Sequence, residues 1–411
     1  MTRNPTFTDQ RRLYPMGIRL LVWMFVVAAA TSAGCQPAPE TAAIQAKPPG
    51  VSDTEIRIGA SLALEGHAGY LGTQMLHGAM SYIQHVNTRG GVHGRQIKVI
   101  AYDDGYDPPR CLYNTQRLLI EDNIFALFCY VGTPTTVKII PLVSEARIPL
   151  VGMFTGANAL RDPVNRYLIN IRASYYQETG AMVQHLVEDQ GITRIGVFYQ
   201  YDTYGFDGLR GTELALRKYN LLPVATGTYI RGTLAVEEGL QRIMDAGAEA
   251  VVMIGTYEPC AKFIRQAKSK GYHPVFSNVS FVGADELVRI LGDQAEGVIV
   301  TQVVPLPSSR PEGESLWGVD EYTRLLQQYY PQDHPNFVSL EGYLNARVLV
   351  EGLQRTGSNL TRERFITALE SVEDYDLGID NALAFSSQDH QGLDRVYFTQ
   401  FKNGRFILIN E

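Results

Sequence analysis

The feature that most limits the fold is an alternation, sustained over most of the chain, of short apolar runs with stretches of helical periodicity. "EIRIGASLAL" (55–64) reads as a strand. The following "GTQMLHGAMSYIQHVNTRGG" (72–91) spaces Met75, Ala79, Ile83 and Val86 along one helical face and stops at Gly90 and Gly91. The exchange continues as strand "RQIKVIAYDD" (95–104), helix "PPRCLYNTQRLLIEDN" (108–123), strand "IFALFCY" (124–130), helix "TPTTVKIIPLVSEAR" (133–147) and strand "IPLVGMF" (148–154). It restarts after Tyr175, with strands predicted at 194–200, 221–230, 249–256 and 274–281 and helices between them. Strands joined through helices imply right-handed crossovers and mostly parallel sheets. Two such units suit 411 residues that are 45% hydrophobic and 19% charged, a chain long enough for two cores. Further on come a long helical section from Gly313 to about Glu373 and a strand-rich tail, "RVYFTQFKNGRFILI" (395–409), with a hairpin turn at Asn403 and Gly404.

Residues 1–34 read as a removable signal peptide of the lipoprotein type. Arg11, Arg12 and Arg19 precede "LLVWMFVVAAA" (20–30), which is short for a membrane span and has the length of a signal-peptide core. No polar face accompanies the run, which weighs against a buried structural helix. "SAGC" resembles a bacterial lipobox in which Cys35 becomes the lipidated first residue, although Ser32 stands where that pattern prefers leucine. Residues 35–53, rich in Pro and Ala and without periodicity, then form a flexible tether. Without the leader, 32 basic residues face 42 acidic ones. Such a body has no electrostatic reason to bind nucleic acid.

In open parallel sheets ligands bind beyond the carboxyl ends of the strands. There "YVGTPTT" (130–136) combines a glycine that lets backbone approach closely, a proline suited to the first helical turn and three threonine hydroxyls beside free N–H groups. Two readings fit: a receptor for a carboxylate, or an ordinary helix cap. Pro141 should kink the helix that follows. Equivalent loops offer Thr155, Gly156 and Ala157, then Tyr201, Asp202 and Tyr204, then Tyr257 and Glu258. One polar loop of this kind is usually just solvated; four at equivalent strand ends suggest two facing ligand-binding edges.

Five segments together resemble the type I periplasmic solute-binding proteins of the branched-chain amino-acid and amide transport family, which serve ABC importers and include the leucine-binding proteins. They are "HVNTRGGVHGRQIKVIAYDDGYDP" (85–108), "VGTPTT" (131–136), "IPLVGMFTGA" (148–157), "YDTYGFDGLRG" (201–211) and "FIRQAKSKGY" (263–272), in family order. The resemblance implies an α/β fold of two doubly wound lobes joined by three crossover segments and closing on a small molecule by hinge motion. One lobe would take residues 54–174 plus 304–375, the other 175–303 plus 376–411. It further implies that the first lobe holds a ligand carboxylate with Gly132, Thr133, Thr135, Phe154, Thr155, Gly156 and Ala157. The second would contribute Tyr175 or Tyr176, Tyr204, and Tyr257 or Glu258, with Tyr70 as a further wall. The protein would be an exported monomer, lipid-anchored or soluble in the periplasm, that delivers its ligand to ABC permease subunits. A ligand-presenting sensor component for a membrane receptor or kinase is the rival role.

The sequence departs from the family at one functional point. Amino-acid binders of this family usually present two carboxylates to the α-ammonium, but the crossover here reads "RASYYQE" (172–178), with tyrosines where one acid is expected. If Glu258 points elsewhere, an amide, an aromatic acid or another carboxylate becomes the expected ligand. Related proteins often bridge the positions of Cys111 and Cys129; buried free thiols fit these residues as well, and Cys260 would stay unpaired. No cysteine or histidine cluster has zinc-site spacing, no cofactor motif appears, and the GxSxG, HExxH and P-loop patterns of enzymes are missing.

Overall fold

A computed structural model describes residues 48–307 and 316–409. The expected signal peptide, Cys35 and most of the expected tether lie outside the described residues.

The first sheet is built from β1 (Glu55–Leu62), α1 (Gly69–Thr88), β2 (Gln96–Asp103), α2 (Pro108–Ile120), β3 (Ala126–Phe128), α3 (Thr133–Glu145), β4 (Leu150–Val151) and β5 (Leu168–Ile169). Its strands are all parallel, in the order β2-β1-β3-β4-β5. The chain then runs through α4 (Tyr175–Gln184), β6 (Ile195–Gln200), α5 (Thr203–Arg217), β7 (Thr226–Tyr229), α6 (Glu237–Asp245), β8 (Ala250–Ile254), α7 (Tyr257–Ser269), β9 (Val275–Asn278), α8 (Ala284–Leu291) and β10 (Ile299–Gln302). These strands repeat the same parallel order, β7-β6-β8-β9-β10, in a second sheet. Each sheet therefore changes winding direction once, between β1 and β3 and between β6 and β8. Such switch points open a crevice at the strand ends.

Three helices follow: α9 (Trp317–Tyr329), α10 (Phe337–Thr356) and α11 (Arg362–Glu370). The predicted single helical section is broken because Pro331 and Pro335 interrupt one junction and Gly357, at φ +79°, the other. Helix α10 returns to the first lobe and packs against α1. A Cβ on Gly78 would lie 1.8 Å from the Ser339 carbonyl oxygen, and one on Gly342 2.1 Å from that of Met75, so only glycine permits this backbone approach. The hairpin β11 (Tyr397–Lys402) and β12 (Arg405–Leu408) then extends the second sheet antiparallel from β10. Its turn carries Asn403 at φ +51° and Gly404 at φ +77°, as the Asn-Gly pair predicts. The chain thus passes between sheets three times: after β5, after β10 and after α11.

Several strand expectations shorten. The 124–130 run forms a strand only over Ala126–Phe128, the 148–154 run only over Leu150–Val151 and the 221–230 run only over Thr226–Tyr229, and β9 ends at Asn278 before a 3-10 turn at Ser280–Val282. Helix α3 continues through Pro141. The expected Cys111–Cys129 bridge is not formed; both thiols are free and buried, as is Cys260. Asn345 of α10 donates to Cys129 Sγ at 3.8 Å, whereas Cys111, on α2, interacts with Ser61 and Asp104. Each thiol is thus engaged by a different set of neighbours.

Candidate functional site

The two switch points face one another across a layer of aromatic rings. From the first lobe, Tyr106 and Phe154 meet Phe281 of the second, with ring centroids 6.0 and 5.2 Å apart. Tyr204 packs 4.7 Å from Phe281 and 5.2 Å from Tyr175. All five rings are buried. Beside them Tyr70, at the start of α1, meets Tyr257, at the start of α7, edge to face at 6.1 Å. Aromatic pairs in this geometry are mutually favourable beyond the area they bury.

Local sequence explains how the rings are presented. The acidic turn after β2 holds Tyr106 at φ +61°, with Asp104 Oδ1 accepting its N–H at 2.9 Å and Ser61 donating to Asp104 Oδ2 at 2.8 Å. Gly132, at φ +97°, gives that ring its place: a Cβ there would fall 2.1 Å from Tyr106 Cε2. Ser174 caps α4 in a capping box with Gln177, and the Tyr175 N–H donates to the Gly156 carbonyl at 2.7 Å, tying the crossover to the loop after β4. Asp202 caps α5 by accepting the Tyr204 N–H at 3.0 Å.

The hydroxyls of "TPTT" separate into two groups. Thr135 and Thr136 donate back to the Val131 and Gly132 carbonyls of their own turn. They are structural. Thr133 instead pairs with Thr155, oxygen to oxygen at 2.7 Å, joining the loops after β3 and β4. At the start of α3 the Gly132 N–H donates to the Phe154 carbonyl at 3.1 Å, Pro134 has no N–H, and the Thr133 and Thr135 amides have no acceptor within the helix. Thr133, Thr155 and these amides therefore form the polar floor under the aromatic layer.

Beneath the floor lies a charged network that the residue pattern did not reveal. Arg172, in the crossover, is fully buried; its guanidinium sits 5.0 Å from the Phe154 ring centroid and 5.8 Å from that of Tyr175. Its Nη2 donates to Glu178 Oε1 at 3.2 Å and to Ser280 Oγ, while Nη1 lies 3.4 Å from both oxygens of Glu341 on α10. Glu178 also accepts from Ser280 N at 2.8 Å and Thr301 Oγ1 at 2.6 Å. Burial pushes the Glu341 carboxyl up to about 7, with Arg172 opposing the rise. On the other flank Arg231 reaches Asp202 at 3.5 Å and covers the Tyr106 ring at 5.5 Å. Burial and then Arg231 lower the His67 pKa.

Of the predicted site residues, Tyr70, Gly132, Thr133, Phe154, Thr155, Gly156, Tyr175, Tyr204 and Tyr257 gather around this layer, and Ala157 donates its N–H to Thr155 Oγ1 at 3.3 Å. Tyr176 does not: its ring packs on Gly211 of α5. Glu258 is half-exposed and shares a stripe of α7 with Lys262 and Gln266, whereas Tyr257 and Ala261 are buried. Among the described residues no three His, Cys, Asp or Glu side chains group as a metal site, and no helix is long and apolar enough to cross a membrane.

Comparison with known proteins agrees with this geometry. The chain is 38% identical to a possible leucine/isoleucine/valine-binding protein from Rhodopirellula baltica SH 1, whose crystal structure superposes with a TM-score of 0.83 over 89% of this chain and 98% of that one. Over 323 residues it is 23% identical to Leu/Ile/Val-binding protein homolog 7 of Brucella abortus (strain 2308), covering 74% of this chain and 78% of the relative. The fold is also that of a fatty acid ABC transporter substrate-binding protein from Thermomonospora curvata, with a TM-score of 0.80, 21% identity, and coverage of 88% and 93%. The family described as "Periplasmic binding protein" matches residues 55–405, so the chain belongs to that family and is a solute-binding protein, not an enzyme.

Proposed function

We propose that this protein captures a small carboxylate-bearing or amide solute between its lobes and delivers it to an ABC importer. The observation that carries this reading is the Thr133–Thr155 pair at the start of α3, set against aromatic side chains of the second lobe at facing switch points. In this reading one lobe spans 54–174 plus 304–375 and the other 175–303 plus 376–411, and hinge motion at the crossovers admits the ligand. Residues 1–34 direct export, and Cys35 carries a lipid that tethers the body at the membrane. The name of the Thermomonospora curvata neighbour supports the transporter role. A thermal-shift screen over amino acids, amides and carboxylic acids tests capture, because a ligand at 100 times its Kd stabilises the folded state by about 2.7 kcal/mol. Absence of any shift across the panel at millimolar concentration would refute it. For the anchor, Cys35→Ala should move the protein from the membrane to the soluble exported fraction; identical fractionation of parent and variant would refute lipidation.

A further inference from the structure

Resting on that reading of the site, we infer that the preferred ligand is a monocarboxylic acid with an apolar or aromatic body and no α-ammonium group. An ammonium taken out of water between two lobes needs an anion of its own, and an uncompensated one costs several kcal/mol. The carboxylates around the aromatic layer already have partners within the protein. Glu178 takes Ser280 N, Ser280 Oγ, Thr301 Oγ1 and Arg172, a full set for its two oxygens. Glu341 lies against Arg172, and Asp202 takes the Tyr204 N–H, Gln200 and Arg231. Asp104 is held by Ser61 and the Tyr106 N–H, Asp207 by the Asn158 N–H, and Asp285 by the Phe337 N–H. Glu258 is half-buried in the first turn of α7, on a stripe shared with Lys262 and Gln266.

The unpaired groups point the same way. Buried polar atoms are normally satisfied, so each exception asks for an explanation. Beside the aromatic layer Arg172 Nε, next to the Phe154 and Tyr175 rings, is buried without a partner, and the buried Tyr175 hydroxyl has Thr155 as its side-chain neighbour. An arginine Nε–H can only donate, and a tyrosine hydroxyl donates readily. With the hydroxyl proton that the Thr133, Thr155 and Tyr175 cluster leaves over and the Thr133 and Thr135 amides of α3, the site offers donors and asks for an acceptor. A carboxylate supplies up to four acceptor positions; an ammonium supplies only more donors.

Paired probes test this on the parent protein by calorimetry: L-leucine against 4-methylpentanoate, and L-phenylalanine against 3-phenylpropanoate and 3-phenylpropanamide. The deaminated acids should bind at least roughly 10-fold tighter than the matching amino acids, as expected when a buried charge lacks a partner. Tyr175→Phe keeps the ring and removes the donor, and should weaken 3-phenylpropanoate by roughly 10-fold. Amino acids binding as tightly as their deaminated partners would overturn the inference and leave solute capture standing. So would tighter binding of the amide than of the acid. Failure of every acid, amino acid and amide to bind would overturn both the inference and the reading beneath it.

Discussion

Glu341 is where protonation and folding are most directly coupled. It enters from α10, is 3% exposed, and meets Arg172, which Glu178 holds from the other lobe. Burial raises its carboxyl from an ordinary 4.5 to about 7; Arg172 opposes this and Glu178 reinforces it. A folded-state value above the unfolded one means that the native protein binds the proton more tightly. Its contribution to stability is therefore fully present below pH 4.5 and is lost as pH rises through about 7. The whole gap corresponds to about 3 kcal/mol, most of which falls between pH 5 and 8. At about 2.1 cal/mol/K of unfolding entropy per residue, a body of this size loses roughly 3 °C of melting temperature over that range. Glu341→Gln keeps the shape and an acceptor for Arg172 but has no proton to release. Melting temperatures of both proteins, measured from pH 5 to 8, should diverge by that amount, the parent falling more. Asp104, Asp207 and Asp285, each raised to about 6 by burial, remain in both proteins, so the difference isolates Glu341. Parallel curves within one degree or so would refute the coupling.

Three further outcomes follow from particular contacts. Thr133→Val should weaken binding of the cognate ligand by about 1.5–3 kcal/mol, whereas Thr135→Val, whose hydroxyl only returns to its own turn, should leave affinity nearly unchanged; equal losses in the two variants would contradict that division. Gly132→Ala combines a strained positive φ with a collision against Tyr106, and should lower stability by about 2–4 kcal/mol and weaken binding, an effect excluded by an unchanged melting temperature. Alkylation of the unfolded, unreduced protein should label Cys111, Cys129 and Cys260, and a linked 111–129 peptide in the mass spectrum would contradict the free thiols.

The fold was legible because its signals are local. Apolar runs, glycine stops and the Asn403–Gly404 turn each report on a few neighbouring residues, and the repeated alternation left few topologies for them to join. The switch points were legible for the same reason, since they follow from strand order; that the ligand binds there is the proposal. Which side chains meet there was less so. Phe281 lay hidden in "PVFSNVSF", which reads as one strand; the chain leaves the sheet at Asn278, and the 3-10 turn carries the ring across to Phe154. Tyr106 sat in an acidic segment that reads as a turn, and the turn is real, but its work is to hold a ring in the cleft. In "RASYYQE" the tyrosines stand where an acid is expected, yet Glu178, three residues beyond Tyr175, is present and already bonded to Arg172. A residue pattern shows that an acid exists; only the assembled fold shows that its charge is spent. On the proposed reading that distinction bears on the ligand, because two glutamates beside an arginine suggest a receptor for cations when they are counted, and carboxylates already engaged by Arg172, Ser280 and Thr301 when their partners are traced.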